Sequence, residues 1–155
     1  MEIRRAKKSD IPELIRLLEQ VNKIHHDIRP DIFRLGTKYS AVDLEGILED
    51  PKHYIYVATD AGAKGILGYI FCEIHQITDD PLMTDVKTFY IDDLCIDEGA
   101  RGNHVGRALY DHAKTEAKEL GCYNVTLRVW AGNSAEDFYR HLGLKAQCSY
   151  FEEIL

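Results

Sequence analysis

Residues 89–121 read FYIDDLCIDEGARGNHVGRALYDHAKTEAKELG, and the fold is decided there. Residues 87–97, KTFYIDDLCID, have the aromatic and β-branched content of a strand. A loop with Gly99, Arg101 and Gly102 follows, and a helix opens around Val105 and Gly106. Val105, Leu109, Ala113, Ala117 and Leu120 then recur on one helical face before Gly121 stops it. A helix start presents unpaired N–H groups and the positive end of the dipole. Phosphate oxygens satisfy both, and Arg101 or Arg107 can add charge-assisted bonds. The segment contains neither GxxxxGK[ST] nor GxGxxG, so neither a nucleoside triphosphate nor a dinucleotide is assigned. An ordinary tight strand-to-helix turn remains the competing reading.

Outward from this unit, the pattern alternates between the two periods. IRRA (3–6) reads as a strand, and Asp10, Pro12 and Glu13 signal a helix start with Asp10 and Glu13 as a capping box. Ile11, Leu14, Leu17, Leu18, Val21 and Ile24 form its apolar face. Pro30 and Gly36 punctuate residues 25–41, and a second helix carries Leu44, Ile47 and Leu48 up to Pro51. HYIYVAT (53–59) and ILGYIFCEI (66–74) predict an antiparallel pair joined by a turn at DAGAKG (60–65). YNVTLRVW (123–130) predicts a strand, Asn133 and Glu136 open a helix over SAEDFYRHL (134–142), and AQCSYFEEI (146–154) predicts a last strand. The order specifies one α/β (mixed α+β) domain over residues 1–155, with a sheet that is not purely parallel.

Composition narrows the partners. The 155 residues carry 19 Lys plus Arg against 26 Asp plus Glu, a net charge of −7 that disfavours a broad grip on nucleic acid or an anionic membrane. Cys72, Cys95, Cys122 and Cys148 have no close pairing and read as free thiols. The charged N-terminus and the absence of a long apolar run predict a cytoplasmic protein. His25, His26 and Asp27 lie side by side without converging partners, so no metal is expected.

YIDDLCIDEGARGNHVGRAL (90–109) and NSAEDFYRHLGL (133–144) together resemble the GCN5-related N-acetyltransferase (GNAT) family, and the resemblance spans essentially the whole chain. It implies the GNAT acyl-CoA N-acyltransferase fold, with a mostly antiparallel central sheet flanked by helices, and acetyl-CoA as cosubstrate. In the family an Arg-x-x-Gly-x-Gly or Ala loop binds the pyrophosphate. Arg101 and Gly106 match its ends, and His104 stands where the first motif glycine is usual. A helix start does not by itself require positive φ, so a His104 with ordinary helical dihedrals can offer its backbone N–H. The resemblance assigns cofactor contacts to Leu94, Cys95, Ile96, Arg101, Gly102, Asn103, His104, Val105, Gly106, Arg107 and Asn133. Asn133 also fits the bland role of helix cap. The strands around YIDDLCI and YNVTLRV splay apart in the family to admit the pantetheine arm.

The same resemblance makes Tyr139 the general acid and Asp92 the base or water-positioner, with an oxyanion donor at the backbone of Leu94 or Cys95. Strict strand alternation sends Asp92 and Asp93 to opposite faces, so only one is expected to face a given pocket. Asp93, Glu73, Arg29 and Phe33 are the candidate acceptor contacts, with Glu73 an alternative base; Trp130 and Tyr150 are further pocket candidates. The implied activity is direct transfer of acetyl to a primary amine of a small molecule or peptide, and family precedent is compatible with a homodimer. The competing function is a noncatalytic acyl-CoA-binding or regulatory module.

Overall fold

The computed structural model describes residues 1–60 and 65–155. Among these residues five strands form one sheet in the order β1-β2-β3-β4-β5: β1 Glu2–Arg5, β2 His53–Thr59, β3 Ile66–Gln76, β4 Lys87–Ile96 and β5 Asn124–Leu127. The first four pair antiparallel, and β5 joins β4 in parallel. That parallel step needs a crossover, which α3 (Val105–Glu119) supplies. The turn expected over residues 60–65 lies largely outside the described residues.

Both faces of the sheet are covered. On one, α3 buries Val105, Leu109, Tyr110, Ala113 and Ala117 against Tyr56, Ile70, Phe89 and Ile91. On the other, α1 (Ile11–Ile28) and α2 (Ala41–Glu49) bury Leu14, Leu17, Leu18 and Leu44 against Ile55, Val57, Tyr69 and Phe71. The apolar faces of α1 and α3 are those that helical spacing predicts. Ser40 and Asp43 cap α2 reciprocally, at 3.2 Å from the Asp43 N–H to Ser40 Oγ and 2.8 Å from the Ser40 N–H to Asp43 Oδ2.

Three local expectations are corrected. The Asp10 carboxylate does not cap α1: it accepts from the Arg4 guanidinium at 2.7 and 2.9 Å and from the Lys7 N–H at 2.8 Å, and makes no bond to the helix start. The strand over 123–130 is cut to Asn124–Leu127, because its chain leaves the sheet beyond Leu127. No strand forms over residues 146–154 among the described residues. Tyr150 and Phe151 are exposed there, and the Glu152 carboxylate meets Arg29 at 2.7 Å in place of a backbone ladder. Strand propensity reflects packing against neighbours, and this segment pairs with no strand among the described residues.

Candidate active site

β4 is the axis of the site. It pairs with β5 only from Thr88–Ile91, against Asn124–Leu127, and then runs on to Ile96 alone on that side. Asp92–Ile96 therefore line one wall of a cavity of about 930 Å³, and Arg128, Val129 and Trp130 line the opposite wall. Their separation is the splay that the resemblance implied. A cavity of this size belongs to the range of small-molecule and cofactor sites.

One end of the cavity is the start of α3. Arg101, Gly102, His104, Val105, Gly106 and Arg107 all line it. Gly102 has φ +81° and His104 has φ +58°, ψ +14°. The expectation of ordinary helical dihedrals at His104 is thereby corrected. His104 adopts the left-handed conformation that glycine takes freely, at the position where the family motif has glycine. Gly106 is closely packed: a Cβ there would lie 3.1 Å from the Phe138 ring of α4 (Ala135–His141), so a larger residue needs the ring to give way by a few tenths of an ångström. Asn103 does not line the cavity; its side-chain amide donates back to the Ala100 carbonyl at 3.4 Å.

α1 braces this loop through residues that sequence reading passed over. Gln20 Nε2 donates to the Ile96 carbonyl at 2.9 Å, and its Oε1 accepts from the Glu98 N–H at 3.3 Å. Arg16 pairs with Asp97 at 2.6 Å, while Asp97 accepts from the Gly99 N–H at 2.9 Å. At the far side, Asn133 Oδ1 accepts from the Ala135 N–H at 2.9 Å. Its cap role occupies the oxygen and leaves the amide nitrogen beside the cavity.

The other end carries the titratable groups. The β3–β4 register places Phe71 opposite Asp93 and Cys72 opposite Ile91, so Asp92 is the extra residue of a β-bulge. A bulge breaks strict alternation. Both aspartates line the same cavity, contrary to the expectation of opposite faces. Lys38 Nζ lies 2.7 and 2.6 Å from the two oxygens of Asp92, and the Tyr39 hydroxyl donates to it at 3.0 Å. Asp93 Oδ2 accepts from the Tyr69 hydroxyl at 3.3 Å. Burial pushes the Asp93 carboxyl up to about 6 and Asp92's charge adds to the rise, against the opposing pull of Lys38 and Tyr69. The residue keeps a partial opening, through the cavity, within dense surroundings.

Tyr139 also lines the cavity, and its hydroxyl makes no hydrogen bond among the described residues. Burial first, then the charge of Asp93, pushes its phenol well above the ordinary tyrosine range, so it is protonated at neutral pH. The Cys95 thiol is pushed up to about 12 by burial and by Asp93, which leaves it a poor nucleophile. Burial and the Lys38 charge depress His25. Phe33 lies 5.0 Å from Trp130 and 5.1 Å from His25 between ring centroids, forming an aromatic wall.

Two expected acceptor contacts are corrected. Glu73 sits outside the cavity, paired with His75 at 2.7 Å and His53 at 3.3 Å. Arg29 is likewise outside, held by Asp31 at 2.6 Å and Glu152 at 2.7 Å. Tyr150 is exposed. Lys38, Tyr39 and Tyr69 were not signalled by any motif, because each approaches β4 from a segment distant in the chain.

With this geometry, residues 18–144 match the family model described as the acetyltransferase (GNAT) family. The chain belongs to the GNAT family. A crystal structure of a tetramutant of the BH1408 protein from Bacillus halodurans superimposes on this GNAT chain with a TM-score of 0.95 and 31% identity, covering 100% of both chains. Glucosamine-6-phosphate N-acetyltransferase from Arabidopsis thaliana gives 0.74 and 21%, over 99% of this chain and 97% of that one. An aminoglycoside acetyltransferase from an uncultured soil sample gives 0.73 and 20%, over 99% and 95%. At those identities the last two show the fold alone. Comparison with curated proteins returned no match. Family membership supports, in general terms, an acetyltransferase activity and an acetyl-CoA site for this GNAT protein.

Proposed function

We propose that this GNAT protein transfers acetyl from acetyl-CoA directly to a primary amine of a small molecule or peptide. The observation that carries the reading is the parting of β4 and β5 beside the start of α3, which puts an open strand edge next to a row of helix N–H groups. The edge suits the amides of a pantetheine arm, and the helix start with Arg101 and Arg107 suits a pyrophosphate. A coenzyme A thioester supplies the acetyl group in a form activated for transfer.

The chain's own residues then have separable tasks. Sequence reading favoured Asp92 as base, but its carboxylate is engaged by Lys38 and Tyr39. We assign the base to Asp93, whose carboxyl near 6 is matched to neutral pH and which lines the cavity. Asp93 takes the proton from the acceptor ammonium. A backbone N–H of Leu94 or Cys95 holds the carbonyl oxygen as it gains charge. Tyr139, protonated and without another partner, gives a proton to the departing sulfur. Phe33 and Trp130, in edge contact, bound the acceptor end. The high thiol of Cys95 supports direct transfer over a covalent cysteine relay.

The test has two parts. Acetyl-CoA is titrated into the purified protein by calorimetry, and thiol release is screened over small amines, aminoglycosides, polyamines, amino acids and peptides, with mass detection of product. Binding followed by acceptor-dependent thiol release is expected. Folded protein that does not bind acetyl-CoA overturns the reading, and binding without release for any acceptor favours a noncatalytic module.

A further inference from the structure

Asp92 already holds an amine. Lys38 reaches it from residues 29–40, between α1 and α2, 54 positions away in sequence, with Nζ within hydrogen-bond distance of both carboxylate oxygens. Its charge also lies 5.1 Å from the Tyr39 ring centre. The lysine lines the same cavity as Asp93, Leu94, Cys95 and Tyr139. Its side chain is 43% exposed, so the ammonium can rotate about its stem without unfolding the sheet beneath. An ordinary surface lysine has none of this. Here a primary amine, a carboxylate proton acceptor and the proposed thioester end of the cleft converge.

We infer that Lys38 is itself an acetyl acceptor, modified within its own chain by acetyl-CoA bound in this cleft. The inference rests on the proposed reading of the cavity as an acetyl-CoA site. In the reaction one proton of the Lys38 ammonium passes to Asp92, freeing the nitrogen lone pair. That pair forms the C–N bond to the thioester carbonyl carbon. The C–S bond breaks with its electrons on sulfur, and the sulfur leaves as the free thiol, taking its proton through Tyr139. The second nitrogen proton balances the one given to the sulfur, and the amide remains on Nζ. Asp92 returns its proton to solvent.

Burial works to lower the Lys38 ammonium, but its bonds to Asp92 and the charge of that carboxylate outweigh burial and hold it above the ordinary lysine range. The amine is therefore unmasked by proton transfer to Asp92, and each chain takes one acetyl group at this position. Its consequence is electrostatic. Acetylation removes the lysine charge and leaves Asp92 held by the Tyr39 hydroxyl without its cation, adding one unit of negative charge beside the proposed acceptor position.

The experiment incubates the full chain with acetyl-CoA and follows acetyl-lysine at each site by intact mass and peptide mapping, with calorimetric acetyl-CoA binding measured on the same preparation. Lys38 is expected to gain one acetyl group about 100-fold faster than the exposed Lys52 and Lys114, the scale of positioned proton transfer. Its rate per chain should not change with protein concentration. Asp92→Asn should slow Lys38 labelling at least about tenfold and leave acetyl-CoA binding in place. If acetyl-CoA binds and Lys38 is labelled no faster than Lys52, the inference is overturned and the proposed function stands. A Lys38 rate that rises with protein concentration, or is unchanged by Asp92→Asn, also overturns it. If acetyl-CoA does not bind, the proposed function fails first.

Discussion

The Tyr69 hydroxyl on β3 donates a 3.3 Å hydrogen bond to Asp93 on β4, one residue beyond the bulge at Asp92. The bond favours the charged carboxylate, burial disfavours it, and burial wins. kcat/KM for thiol release should therefore rise with pH through about 6 as Asp93 loses its proton. Tyr69→Phe removes a stabiliser of the charge and should move that limb to higher pH. A pH–rate profile of the two proteins checks this, and an identical limb in both would remove Tyr69 from the role.

Asp93→Asn separates activity from stability. A carboxyl held above its ordinary value of 3.8 costs the native state stability as pH rises from there through about 6. At pH 7 the asparagine variant should be at least as stable in urea as the parent, while turnover falls about 100-fold or more. A large loss of stability would instead mark Asp93 as structural.

Tyr139→Phe deletes one unpartnered hydroxyl and leaves the ring beside Phe138 at 5.3 Å. Acetyl-CoA affinity by calorimetry should be unchanged and thiol release slowed about 100-fold. Equal turnover would exclude the proposed proton delivery.

His104 holds φ +58° at the start of α3. His104→Gly should stabilise the fold by about 1 kcal/mol through relief of left-handed strain, with acetyl-CoA binding retained. His104→Val, β-branched, should cost more than the glycine gains. Denaturant midpoints of the three proteins give the order directly.

The Arg4–Asp10 pair sets an acid limit. Its bonds to Arg4, then to Lys7, hold the Asp10 carboxyl below its ordinary 3.8 in spite of burial. The stabilisation is present above that value and is lost as pH falls through the lower native one. Asp10→Asn should cost about 1–3 kcal/mol at pH 7, with the deficit shrinking towards pH 3. Urea unfolding of both proteins at the two pH values measures it.

Much of the site was legible because it is local. The strand, loop and helix of residues 87–121 are contiguous, and the 3.6-residue pattern from Val105 aims the helix N-terminus without help from the rest of the chain. Arg101, Gly102, Gly106, Tyr139 and Asn133 followed from two short motifs and all line the cavity. Glu73, Arg29 and Asn103 were misplaced for one reason. A suitable residue type says nothing about which side of a strand or loop it occupies, and each is engaged by neighbours outside the cavity or turned back on its own loop. The last strand failed similarly, since alternation proposes a strand and only a partner makes one.

The sequence by itself determined the fold class, the helix faces and the place where a phosphate can meet a helix start, because these depend on periodicity and on neighbours within a few residues. Tertiary structure alone decided the chemistry at the other end. The bulge that turns both Asp92 and Asp93 into one cavity arises from the register of β4 against β3, and the pairing of Asp92 with Lys38 joins residues 54 positions apart. Burial and charge at that point come from three elements meeting in space, and a carboxylate's basicity is set by what surrounds it.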